Sequence, residues 1–231
     1  MYRLGKYDEN DSMSALISEN YPVLLVMSRF GIPLGVGDAS IGEVCRRNGV
    51  DTRTFLAVTN LLLDEEQVSV VKDVGTSVEA LLVYLHNSHD YFLEFRLPAV
   101  RTKLVEAVGT ADDLSQAIIR YFDQYVDEVR RHMAYEEKTV FPYVRALISG
   151  KRPDDYSIAV FGRQHDQVEA RLTEFKQILI KYYPAQSTNE INGVLFDIFS
   201  CERDLASHNA VEDRLFVPAI AALERKIGDK R

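Results

Sequence analysis

Apolar residues recur every three or four positions through most of this chain, the period of helices with one buried face. Four long stripes stand out. The first, capped by Thr76, runs through Val78, Leu81, Leu82, Leu85, His89, Phe92 and Phe95, with Pro98 marking a kink or a boundary. Gly109-Thr110-Ala111-Asp112 is a turn, and a second helix is predicted from Asp113 to Leu147 through Ile118, Phe122, Tyr125, Val129, His132, Glu136, Val140 and Val144. Ser149–Pro153 stops it. The third covers Asp155 to Tyr182 through Ile158, Phe161, His165, Val168, Leu172 and Phe175. After Tyr183–Ser187 the fourth covers Asn189 to Lys226 through Leu195, Ile198, Leu205, His208, Glu212, Phe216 and Ile220. Strand signals are weak everywhere, and Val68–Val71 reads as linker. The expected fold is all-α: an up-down-up-down four-helix bundle over residues 76–231, preceded by a small helical domain over 1–65.

That N-terminal domain reads as three or four short helices. Ser12 to Asn20 forms one, with Asp11 or Ser12 as N-cap. Pro22 opens another, which reaches Phe30 before Gly31-Ile32-Pro33-Leu34-Gly35-Val36-Gly37 ends it. Two more cover Ile41–Arg47 and Thr52–Leu63, the latter capped by Asp51. A DNA-binding helix-turn-helix over 41–63 would have only Arg46, Arg47 and Arg53 for the phosphates, which is thin support.

Polar residues on the long stripes change the picture. His89, His132, Glu136 and Pro142 in the first half match His165, His208, Glu212 and Pro218 in the second, all four at the same offset along the chain. His132 and Glu136 are four apart, as are His208 and Glu212, so each pair shares a helix face. A single histidine on an apolar face is most often a core residue with a local partner. Six such groups on one offset need a common cause, and buried glutamates cost several kcal/mol without a cation. His89, His132, Glu136, His165, His208 and Glu212 therefore read as ligands. Four imidazoles and two carboxylates exceed one tetrahedral zinc and suit a dinuclear centre with open positions. Mixed His/carboxylate ligation favours two non-haem irons, oxo-bridged or not, with manganese or zinc as substitutes. Glu128 and Asp204 extend the repeat one turn earlier, as partners of the ligand histidines, as an acidic passage, or as solvated helix charges. His86 has no twin, since Gly162 stands opposite it, and is assigned to the entrance or the surroundings of the site. Glu169, opposite Leu93, is a spare acid on the third helix. No catalytic residue is assigned.

Charge and cysteines narrow the class. The formal net charge of −8 over 231 residues argues against a nucleic-acid partner. Two cysteines, Cys45 and Cys201, are too few for a disulfide scaffold and suggest a reducing compartment. No signal peptide is expected, and no apolar run approaches a membrane span, so the cytoplasm is the default location. The oligomeric state stays open, a homodimer included.

These residues resemble the hemerythrin-like family, with its repeated His-His-Glu elements, and within it the di-iron proteins of iron-sulfur cluster repair. That group has the same layout, and its ligands fall on His89, His132, Glu136, His165, His208 and Glu212. A further carboxylate of the group falls on Glu128. The group has a Glu before the third ligand histidine, where this chain has Gln164. It also carries adjacent cysteines before glycines in the N-terminal domain, where this chain has Gly35 and Val36. The resemblance implies a role in nitrosative or oxidative stress, with O2 or NO as ligands and iron-sulfur proteins as partners. The function expected is repair of damaged clusters by iron delivery or NO chemistry. A module that senses or binds O2 or NO without repair is the alternative. A regulator whose residues 1–65 dock a partner is the third reading.

Overall fold

A computed structural model describes residues 7–63, 75–151, 153, 156–163, 166–184 and 188–228. The fold is all-α, with no strand among the described residues; Ser12 and Ser40 form an isolated antiparallel bridge. The N-terminal helices are α1 (Met13–Glu19), α2 (Val23–Arg29), α3 (Ile41–Arg47) and α4 (Thr52–Leu63). Their ends follow local chemistry. Ser12 Oγ accepts from the Ala15 N–H, Ser40 and Glu43 form a reciprocal capping box, and Asp51 Oδ1 accepts from the Thr54 N–H at 2.8 Å. Gly31, at φ 70°, supplies the left-handed turn that ends α2. Most of the expected linker, residues 64–74, lies outside the described residues.

The long helices are α5 (Val78–Asp90), α6 (Leu97–Val108), α7 (Asp113–Tyr135), α8 (Phe141–Ile148), α9 (Asp166–Tyr182), α10 (Thr188–Val211) and α11 (Val217–Gly228). Ser77, one residue after the expected Thr76, caps α5 by accepting from the Ala80 N–H. Asp112 caps α7, taking the Ser115 N–H at 2.8 Å. The third stripe is not one helix. A 3₁₀ turn over Ile158–Arg163 precedes α9.

Three of the junctions are π-helical turns: Tyr91–Arg96 between α5 and α6, Glu136–Val140 between α7 and α8, and Glu212–Phe216 between α10 and α11. Each ends on a bond from residue i to i−5: Leu97 N–H to Phe92 O, Phe141 N–H to Glu136 O, and Val217 N–H to Glu212 O. The next residue each time is proline: Pro98, Pro142 and Pro218. A proline has no N–H to give, and its ring collides with the carbonyl four residues back in a regular helix. The wider turn removes that collision without breaking the helix. The helices therefore run on through their prolines.

The chain packs as two compact units. One draws on residues up to Ser88, on Tyr143–Val160 and on Ala210 onward; the other comprises His89–Pro142 and Phe161–Asn209. In the first, Phe30 meets Phe55 and Tyr84 at ring-centroid distances of 5.6 and 5.1 Å. Glu224, buried on α11, accepts from Tyr143 Oη at 2.5 Å and from the Ile158 N–H at 2.9 Å, so the 3₁₀ turn starts on a carboxylate. In the second unit four helical runs feed one core: Phe92, Val100 and Leu104; Phe122, Tyr125 and Val129; Leu172 and Phe175; Val194, Ile198 and Leu205. Phe175 lies 5.5 Å from Phe122 and stacks on Tyr121 at 5.6 Å. That apolar packing is what holds the ligand-bearing helices in register.

Candidate metal centre

The site starts from a helical spacing. His132 lies on the last turn of α7 and Glu136 opens the π turn that follows, but the Glu136 N–H still bonds back to His132 O. The turn joining the two is therefore α-helical, and it puts both side chains on one face. His208 and Glu212 repeat this on α10, with Glu212 again the first residue of a π turn. His89 sits at the end of α5.

The structure brings His89, Glu136, His208 and Glu212 together: each offers one ligand atom, and these lie within 4.8 Å of one another. All four are buried, Glu136, His208 and Glu212 completely. His89 Nε2 stands 2.9 Å from Glu136 Oε2, and His132 Nε2 stands 2.9 Å from Glu136 Oε1. The two oxygens of one carboxylate thus face two different imidazoles. Among the described residues, neither Glu136 oxygen nor His89 Nε2 has a partner in hydrogen-bond geometry. Close polar atoms that converge without pointing at each other as donor and acceptor are what a ligand set looks like. The rings are packed as well: His89 lies parallel to Phe141 with centroids 5.4 Å apart, and His208 is 5.3 Å from His89 and edge-on to Phe92 at 6.1 Å.

Electrostatics follow from the burial. Desolvation works against a charged His89, yet the carboxylates of Glu136 and Glu137 outweigh it and lift the imidazole to about 9. Burial likewise opposes the Glu136 charge, but His132, His89 and His208 hold its carboxyl well below the usual carboxylate range. A buried carboxylate kept ionised among imidazoles suits a cation. The residues present therefore fit a metal.

His132 is half-buried and touches Glu136. His165, Gln164 and the side chain of Glu169 lie outside the described residues. Asp204 is buried one turn before His208. Glu128 is half-buried, with Oε1 held 3.0 Å from Arg171 Nη1. His86 is exposed on α5. One residue not singled out from the sequence joins the site: Glu137, whose Oε1 is 2.8 Å from His89 Nδ1. The signal was there, since Asp213 repeats the acid at the offset of the ligands. Cys45 is buried on α3, and burial pushes its thiol up to about 11.

Comparison with known proteins agrees with this geometry. Residues 80–220 match the model of the hemerythrin HHE cation binding domain. The iron-sulfur cluster repair protein ScdA of Staphylococcus haemolyticus (strain JCSC1435) is 23% identical over 215 residues, 89% of this chain and 96% of that protein. With the family model spanning well over half of its length and a buried His/Glu cluster inside the matched region, the chain belongs to the hemerythrin HHE cation-binding family.

Proposed function

We propose that this protein is a cytoplasmic non-haem di-iron protein that supports repair of damaged iron-sulfur clusters under nitrosative or oxidative stress. The convergence of His89, Glu136, His208 and Glu212 carries the reading, and the similarity to a cluster repair protein over nearly the whole chain supports the repair role. His132 and His165 complete the six ligands, and iron is preferred for a mixed His/carboxylate set with open positions. Two irons held here supply exchangeable metal and open coordination for O2 or NO. The chain's own contribution is to exclude water, to keep Glu136 ionised, and to fix the imidazoles against Phe141 and Phe92. Iron-sulfur proteins are the expected recipients.

Iron analysis and the optical spectrum of anaerobically purified protein test the metal reading. About two irons per chain are expected by the ligand count, with a sharp loss in His132→Ala. Well under two irons, or unchanged iron in that variant, would sink it. The repair role is tested separately, by recovery of an iron-sulfur enzyme in NO-treated extracts that lack this protein. One observation favours O2 or NO binding without repair: the N-terminal loop has Gly35 and Val36 where the repair group has paired cysteines, and Cys45 is buried. Reversible binding of either gas with no enzyme recovery on adding the protein would select that alternative.

A further inference from the structure

Two adjacent glutamates take the two nitrogens of one ring. Glu136 Oε2 faces His89 Nε2 at 2.9 Å, and Glu137 Oε1 meets His89 Nδ1 at 2.8 Å. Phe141 stacks on the same ring, 4° from parallel. The imidazole is thus held on one face by stacking and at Nδ1 by a hydrogen bond, with Nε2 turned to the cluster. The surroundings of the two carboxylates differ. Glu136 is fully buried in the ligand cluster, while the Glu137 side chain keeps 30% of its surface in solvent. Glu137 is not one of the convergent groups.

We propose that Glu137 is a positioning residue that selects the tautomer of His89. A neutral imidazole carries its proton on one nitrogen and a lone pair on the other. The Glu137 carboxylate oxygen accepts the Nδ1–H and leaves the lone pair on Nε2, which faces Glu136 and the cluster. Without it His89 populates both tautomers and only one can ligate. Such an outer carboxylate typically contributes 10–100-fold in metal affinity. The position also breaks the symmetry of the repeat. Asp213 matches Glu137, but Phe141 is matched by Val217, so the stacking half of the clamp belongs to the first copy alone.

The inference rests on the metal reading, and one experiment separates them. Zinc, being diamagnetic, is loaded into the full chain, its affinity measured by chelator competition, and the imidazole nitrogens and their protons observed by 15N-edited NMR. Wild type is expected to show His89 protonated at Nδ1. Glu137→Ala is expected to lose that Nδ1–H resonance and to bind zinc about 10–100-fold more weakly. Glu137→Gln, whose carbonyl still accepts the Nδ1–H, is expected to restore affinity to within about threefold of wild type. A wild type with His89 protonated at Nε2 overturns the inference, whatever the variants do. So does Glu137→Ala with wild-type affinity, or Glu137→Gln as weak as the alanine. A wild type that takes up no zinc or iron overturns the metal reading, and this inference with it.

Discussion

Raising the pH on the metal-stripped protein should remove a definite piece of its stability. His89 is 2% exposed between two carboxylates, and its pKa is raised from 6.5 to about 9. A group whose folded pKa lies above its unfolded value stabilises the fold fully below the unfolded value, and that contribution is lost as pH rises through the folded one. The window therefore opens near 6.5 and closes near 9. A shift of that size is worth on the order of 3 kcal/mol at about 1.36 kcal/mol per unit. Glu136 moves the other way: its contribution is present above the ordinary carboxylate value of 4.5 and lost only as pH falls far below it. Both describe one proton held on the imidazole side of a buried pair. For a chain of this size 1 kcal/mol is worth roughly 2–4 °C. Thermal unfolding of the stripped protein should therefore fall by about 6–12 °C between pH 6 and pH 9.5. The metal-loaded protein should not follow, because the metal replaces the proton, and affinity should rise with pH over the same window. A flat or rising stability between pH 6.5 and 9 would refute this reading of the site. So would an identical slope in His89→Gln.

Phe175→Ala, at the centre of the apolar core, should cost about 3–5 kcal/mol in urea unfolding, and a loss below about 1 kcal/mol would show that the core is not shared as described. Glu224→Leu should cost about 2–4 kcal/mol by orphaning the Tyr143 hydroxyl and the Ile158 N–H, with Glu224→Gln recovering much of it; equal losses in both would argue against the hydrogen-bonding account. Arg101→Ala should change stability by no more than about 1 kcal/mol although it breaks a two-pronged pair with Asp123, because both side chains are well exposed.

The helices of this fold were legible in the sequence because their ends are written in caps and breakers. Ser12, Asp51 and Asp112 each accept the N–H that their position calls for, and Gly31 turns the chain where α2 ends. The convergence of His89, Glu136, His208 and Glu212 was legible for a different reason: the shared offset ties scarce residues on separate helices to one another. What the pattern hides is anything that leaves the regular helical period. The π turns keep the apolar stripe, so only their prolines hint at them. Glu137 is adjacent to a ligand, and a face-by-face reading assigns it to another side of the helix. Glu128 shares the ligand face, but its engagement by Arg171 depends on a cation from another helix, which periodicity does not reveal. The 3₁₀ turn before α9 has the same origin, since Phe161 keeps the helical spacing through it.

The repeat contains its own control experiment on the π turns. The offset that carries His132 to His208 also carries Pro142 to Pro218, and both helices widen just before the proline. Applied to Pro98, it reaches Glu174, and there α9 runs from Asp166 to Tyr182 as unbroken α-helix, while its counterpart widens at Tyr91–Arg96. Among the described helices each widening stands just before a proline, and α9, which carries none, stays regular. A widened turn holds one residue more than a regular one, and the spacing from carboxylate to proline is equal in both halves, so the extra residue sits at the same place in each. The widened turn and its proline thus recur as one unit, in step with the carboxylate that opens each turn.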